Sequence, residues 1–202
     1  MNFLPGHLYH VYNQGNNRDR IFFEKEDYFL FLKKMRKAFR SDCSLLAWCL
    51  MPNHFHWLLI INDDYNIDYH TTERTKKLNP LNKKIASLLS SYTQSINRKY
   101  GRSGSLFRKR TKAKSLNEQR FLHDNYLANC FFYIHQNPHK AGLVERIEHW
   151  EFSSFPDYCE IRNGNLCNIN LALKLLELPK TVEGFYELSY KTIPEDSYKN
   201  IF

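Results

Sequence analysis

The seventeen positions from Leu45 to Ile61 constrain the fold more than any other stretch. Leu45-Leu-Ala-Trp-Cys-Leu-Met51 is the most apolar run of the chain. Pro52-Asn53 interrupts it, and His54-Phe-His-Trp-Leu-Leu-Ile-Ile61 resumes it. Two strands meeting at a short Pro-Asn turn are the natural reading. An earlier strand is expected over His7–Asn13, which is rich in aromatic and β-branched residues, with turn chemistry at Gln14–Asn17. From Glu26 to Phe39 the apolar residues Phe29, Leu32, Met35 and Phe39 recur at three- and four-residue steps. Lys33, Lys34, Arg36 and Lys37 fill the gaps, which predicts an amphipathic helix with a basic outer face.

Asn62–Pro80 is polar and loop-like. Helical spacing then returns over Leu81–Tyr100 through Ile85, Leu88, Leu89, Tyr92 and Ile96. Gly101-Arg-Ser-Gly104 breaks that helix, and Leu106–Ser115 reads as a basic strand or an extended arm. Asn117–Gln136 reads as a long helix, with Asn117 as N-cap and Pro138 as the stop. Beyond Gly142 the chain is mostly loop, until a short helix over Ile169–Leu178 that Pro179 ends. The order strand, helix, strand-strand, helix, basic arm, helix predicts an α+β fold of ferredoxin-like type, an antiparallel sheet with helices packed on it.

A hydrophobic fraction of 43%, with 15% aromatics, excludes wholesale disorder in a chain of 202 residues. Lys and Arg total 29 against 21 Asp and Glu, a net charge of +8. That balance favours polyanionic partners, nucleic acid or an anionic membrane surface, and leaves a basic protein with no special affinity open. No run reaches the roughly 18 apolar residues needed to span a bilayer. Met1–Tyr12 lacks a basic patch followed by an apolar core, so no secretory signal is read. Cys43, Cys49, Cys130, Cys159 and Cys167 are widely and irregularly spaced, without a CxxC pair. Reduced thiols in a cytoplasmic protein are expected.

Three constellations bear on chemistry. His54 and His56 are two apart on a predicted strand, so their side chains leave one face, about 7 Å apart at the backbone. Such a pair holds a divalent metal if a third ligand arrives, and is otherwise two hydrogen-bonded histidines. Phe55, Trp57 and Leu59 point the other way, as packing residues. Tyr133 and Asn137 share a helix face at i and i+4. Asn137 offers a carbonyl oxygen to a hard cation and Tyr133 a phenol nucleophile, although Asn before Pro is also an ordinary helix stop. His135, between them, faces elsewhere. The third constellation is a run of eight cations with no acid among them: Arg98, Lys99, Arg102, Arg108, Lys109, Arg110, Lys112 and Lys114. With Tyr100 and Phe107 among them they suit a groove that neutralises phosphates and stacks unpaired bases, or a solvated charged face.

Together these residues resemble the single-tyrosine HUH transposases, in the branch of the REP-associated tyrosine transposases. The likeness rests on Tyr9-His-Val-Tyr-Asn13 with Arg18 and Phe22-Phe23, and on Trp48-Cys-Leu-Met-Pro-Asn-His-Phe-His-Trp57. It continues through Tyr92-Thr-Gln-Ser-Ile-Asn97, Gly104-Ser-Leu-Phe-Arg108, the run from Tyr133 to Val144, and Trp150-Glu-Phe-Ser-Ser154. It spans residues 1–158 as a nuclease domain and leaves 159–202 as a C-terminal extension of unassigned role. The resemblance implies a metal-dependent endonuclease and strand transferase acting on single-stranded DNA beside hairpins. It implies Mg²⁺ or Mn²⁺ on His54, His56 and Asn137, which polarises the scissile phosphate. It also implies Tyr133 as the nucleophile that forms a 5′-phosphotyrosine and frees a 3′-OH.

Tyr92 is a poorer candidate because the residue four on is Ile96. Tyr126, with Asn129 three on, is not excluded by spacing, so the choice of Tyr133 rests mainly on the resemblance. The eight cations from Arg98 to Lys114 are the expected DNA contact. A non-catalytic DNA- or RNA-binding protein on the same scaffold is the alternative, followed by a phosphoesterase that forms no covalent intermediate. A monomer or homodimer is expected, with no membrane partner.

Overall fold

The computed structural model describes residues 1–65, 79–117 and 126–193. Four strands, β1 (Leu8–Gln14), β2 (Cys43–Met51), β3 (His54–Ile61) and β4 (Lys112–Ser115), form one sheet in the order β2-β3-β1-β4. Every neighbouring pair is antiparallel. Helices α1 (Lys25–Ala38) and α2 (Pro80–Lys99) cover one face, and α3 (Tyr126–Lys140) packs on the other. β3 lies between β1 and β2, with α1 connecting the two outer members of that trio. This is the ferredoxin-like α+β arrangement that the order of elements predicts.

A sheet covered on both sides explains why β2 and β3 read as nearly unbroken apolar runs. Leu45, Trp48, Leu50, Phe55, Trp57 and Leu59 enter the core shared with α1 and α2. Leu46, Ala47, Cys49, Met51 and Leu58 enter the core shared with α3. A register shift between Leu45 and Ala47 marks a bulge in the β2–β3 ladder. The outer edge of β2 is not left bare. Leu50 N donates to Phe152 O, Ser154 N to Trp48 O and Asn168 N to Leu45 O, each at 2.9 Å.

Several sequence expectations change. The buried stripe of α1 is Tyr28, Phe31, Met35 and Ala38, whereas Phe29 is 55% exposed. The apolar pattern fits two phases one residue apart, and packing against α2 selects the other one. Pro138 does not stop α3. It lies in the last turn, and the helix runs on to Lys140. The stop is Gly142, at φ +68°, where Gly142 N donates to His139 O and Leu143 N to Pro138 O, both at 2.9 Å. Asn117 spends its side chain on β1, its Oδ1 accepting from Leu8 N at 2.7 Å. The predicted helix from Asn117 falls, over 118–125, outside the described residues, as does 66–78 of the polar segment.

Among the described residues three further α-helices follow: α4 (Phe155–Tyr158), α5 (Ile169–Leu175) and α6 (Val182–Ser189). The sequence reading missed α6, which is short and carries Gly184 in its first turn. Ala172, Leu176, Leu178, Phe185 and Ile193 from this C-terminal part join the core around α3. Among the described residues no helix is long and apolar enough to cross a membrane.

Candidate active site

β1 and β3 are central neighbours, with Tyr12 registered against His56 and Gln14 against His54. Period-two alternation sends His54 and His56 to the α3 face and Phe55, Trp57 and Leu59 into the opposite core, as expected. The imidazole rings of His54 and His56 lie 5.0 Å apart, centre to centre. α3 crosses this face and brings the Tyr133 ring to 6.0 Å from that of His56, edge to face. Residues separated by more than seventy positions thus meet at one place. A cleft of about 510 Å³ opens there, lined by Tyr12, His54, Tyr133 and Asn137, with Arg108, Arg110 and Lys112 around it. His56, fully buried, lies beneath.

The histidines are neutral. Burial lowers the His54 pKa to about 4. Burial, then the neighbouring His10 and His54, hold His56 well below the usual histidine range. His54 Nδ1 is 2.6 Å from Asn53 Oδ1. His56 Nδ1 is 2.9 Å from His10 Nε2. Asn137 donates Nδ2 to Tyr133 O at 2.9 Å, which leaves its Oδ1 as an acceptor at the cleft wall.

Among the described residues no group of three or more His, Cys, Asp or Glu side chains is placed to hold a metal ion. A metal held by His54 and His56 would need a third protein ligand of another donor type, and the amide of Asn137 on the same cleft would be a candidate. Two neutral imidazoles and an amide oxygen would form a mixed nitrogen–oxygen donor set. That set suits Mn²⁺ better than the harder Mg²⁺, and it leaves coordination positions for water and phosphate oxygens.

The tyrosines separate by environment. Tyr92 is buried and donates its hydroxyl to Ile21 O at 2.7 Å. Tyr126 is buried under the Lys114 ammonium, 5.6 Å from its ring centre. Tyr133 is buried to the same degree as Tyr126 but lines the cleft, and the Lys140 ammonium stands 5.8 Å over its ring. Tyr12, to which the sequence reading gave no role, is the other phenol on the cleft. Burial raises its pKa, which disfavours a phenolate there.

The basic run does not act as one block. Arg108, Arg110 and Lys112 line the cleft. Lys99 instead pairs with Glu24 and, at 2.9 Å, with the buried Asp27, and so joins α2 to the start of α1. Arg102 lies over Phe23 and Lys114 over Tyr126. Arg98 and Lys109 are exposed and stand outside the cleft lining. Phe107 offers no face to a base, because it is buried against Phe31 and Phe55. Tyr100 donates its hydroxyl to Asp27 at 2.9 Å.

Sequence reasoning also passed over His10 and Asn53 as parts of the site. The available signal was alternation on β1, which puts His10 and Tyr12 on one face, and the adjacency of Asn53 to His54.

No family profile matches the chain. A Haemophilus influenzae protein named as a REP-associated tyrosine transposase is 28% identical over 135 residues, which cover 62% of this chain and 69% of that protein. A solved structure of a REP-associated tyrosine transposase bound to a REP hairpin superposes with a TM-score of 0.56 at 17% identity. That match covers 84% of this chain and 87% of the other. The chain resembles the REP-associated tyrosine transposases. The four-stranded antiparallel sheet with its helices is a fold that it shares with a transposase of that group.

Proposed function

We propose that the chain is a metal-dependent single-strand DNA endonuclease and strand transferase working through a tyrosine–DNA intermediate. The observation that carries this reading is the convergence of Tyr133 with His54 in one cleft rimmed by three cations, over the buried His56. His54, His56 and Asn137 would hold Mn²⁺ or Mg²⁺, whose chemistry is to polarise a phosphoryl oxygen and spread its charge.

The remaining work falls to the chain itself. Arg108, Arg110 and Lys112 neutralise the phosphates of a strand entering the cleft. Tyr133 Oη attacks the scissile phosphorus. The phenol gives up its proton, and the P–Oη bond forms as the P–O3′ bond breaks. The leaving 3′-oxygen takes up a proton, so the downstream fragment is held as a 5′-phosphotyrosine and the upstream fragment leaves with a 3′-hydroxyl. The Lys140 ammonium, 5.8 Å from the Tyr133 ring centre, adds positive charge beside the phosphate under attack. Attack by a 3′-hydroxyl reverses the step, and the phosphodiester count is conserved without ATP.

The related transposase was solved on a hairpin, which makes hairpin-bearing single strands the first substrates to try. The protein is incubated with labelled strands and Mn²⁺ and then denatured. A covalent adduct is expected in the wild type and in Tyr12→Phe, and none in Tyr133→Phe. Cleavage without an adduct would replace this reading with water-activating phosphoester hydrolysis. Binding without cleavage would replace it with a non-catalytic DNA- or RNA-binding role.

A further inference from the structure

We propose that Asn53 and His10 are positioning residues that fix His54 and His56 in the tautomer protonated at Nδ1, so that each Nε2 lone pair is kept for a divalent cation. The proposal rests on the metal reading above, and deepens it by assigning the residues that aim the two imidazoles.

The His54 tautomer follows from the hydrogen bonds of Asn53. Asn53 Nδ2 lies 3.1 Å from Arg18 O, a carbonyl that only accepts, so that end of the amide is the donor. The other end, Oδ1, faces His54 Nδ1 at 2.6 Å and has no proton to give. The proton in that contact therefore belongs to His54 Nδ1, and in a neutral imidazole Nε2 is then the lone pair. Asn53 is itself fixed. It sits in the β2–β3 turn, its carbonyl accepts from Gly15 N at 2.8 Å, and its amide reaches an Arg18 held at φ 62°.

His10 meets His56 in a different way. Their rings are 16° from parallel, with centroids 5.1 Å apart and Nε2 to Nδ1 at 2.9 Å. That separation is a hydrogen bond plus two ring radii, so the rings meet edge to edge in line and do not stack. One nitrogen must donate. If His10 donated, a neutral His56 would carry its proton on Nε2 and have no lone pair for a metal. If His56 donates from Nδ1, Nε2 is the ligand atom, and this is the direction proposed. His10 is held for the task by its place in central β1, where it is fully buried and registered between Leu58 and Lys114.

Both imidazoles thus have an orienting partner, an arrangement whose loss typically weakens metal binding about 10–100-fold. The test uses the full chain. Histidine ¹⁵N spectra of the metal-free protein near pH 7 should show His54 and His56 protonated at Nδ1. Manganese titrations followed by electron paramagnetic resonance should show affinity falling about 10–100-fold in Asn53→Ala and His10→Leu. Most of it should return in Asn53→Asp and His10→Gln, which restore an acceptor. Thermal melts identify the folded variants. Asn53 is only half-buried, so Asn53→Ala serves if His10→Leu does not fold.

Protonation at Nε2 in the wild type overturns the proposal, as does an unchanged manganese affinity in folded Asn53→Ala and His10→Leu. A wild type that binds no manganese overturns the metal reading itself, and with it the purpose assigned to these two residues.

Discussion

His135 lies two residues from Tyr133 on another face of α3. It is fully buried among Phe131, Phe155 and Tyr158, with Nε2 2.7 Å from Ser154 Oγ. Burial lowers its pKa to about 3. In the unfolded chain it titrates near 6.5, so between about pH 6.5 and pH 3 the unfolded state binds a proton that the folded state refuses. The sign is then fixed: stability is full above pH 6.5 and falls as the pH is lowered toward 3. His135 alone should remove about 2 kcal/mol between pH 8 and pH 5, and buried His54 and His56 act in the same direction. Urea midpoints measured across that range check this, and His135→Gln should flatten the curve. The sequence placed this histidine off the face of Tyr133, and it placed His54 with His56, because both statements need only the period of one element. It was silent on Asn53 and His10 because their roles depend on hydrogen bonds made across a turn and between strands.

α1 and α2 are fastened at one end by Asp27. This carboxylate accepts from Phe23 N and Glu24 N at the start of α1, and from Lys99 and Tyr100 at the end of α2. Burial on its own raises the pKa of Asp27, yet these hydrogen bonds, that of Lys99 foremost, hold it below the ordinary value. Asp27→Ala should therefore cost about 3 kcal/mol, read by urea denaturation, since it strands two backbone donors at a buried site. The same knot divides the basic run into two kinds of residue. Arg108→Ala, Arg110→Ala and Lys112→Ala should each weaken single-strand binding and reduce the salt slope by about 0.7 for each phosphate no longer neutralised. Lys99→Ala should lower the melting temperature and leave that slope unchanged. A one-sided run of cations reads the same in sequence whether a residue faces a partner or a neighbouring carboxylate. Only the packing of α2 on α1 tells Lys99 from Arg108. The buried face of α1 was hidden for a related reason, because Phe29 and Tyr28 both fit a helical stripe until α2 chooses between them.

At the scale of the whole molecule, α3 is the element on which the proposed chemistry turns, and it is held from two sides. The sheet supports it through Leu46, Ala47 and Leu58, and the C-terminal helices support it from the other side. Phe185 of α6 is the main wedge, 1% exposed and in ring contact with Phe131, Phe132, Phe155 and Tyr158. Gln136 adds a polar clasp, donating Nε2 to Ser189 O at 2.8 Å and to Lys191 O at 3.0 Å. No motif marks this segment in the sequence, because its contribution is volume and a few carbonyls, which many sequences supply. Phe185→Ala should then cost about 3–5 kcal/mol, the range for emptying a buried aromatic site. Its effect on cutting should exceed its effect on DNA binding. The cations at the cleft rim lie on β4 and the arm before it, away from Phe185, whereas Tyr133 depends on the seating of α3. Urea denaturation gives the first quantity. Adduct yield set against strand affinity, measured where the variant remains folded, gives the second. Equal losses in adduct and in binding would show that the C-terminal helices hold the whole cleft and not α3 alone.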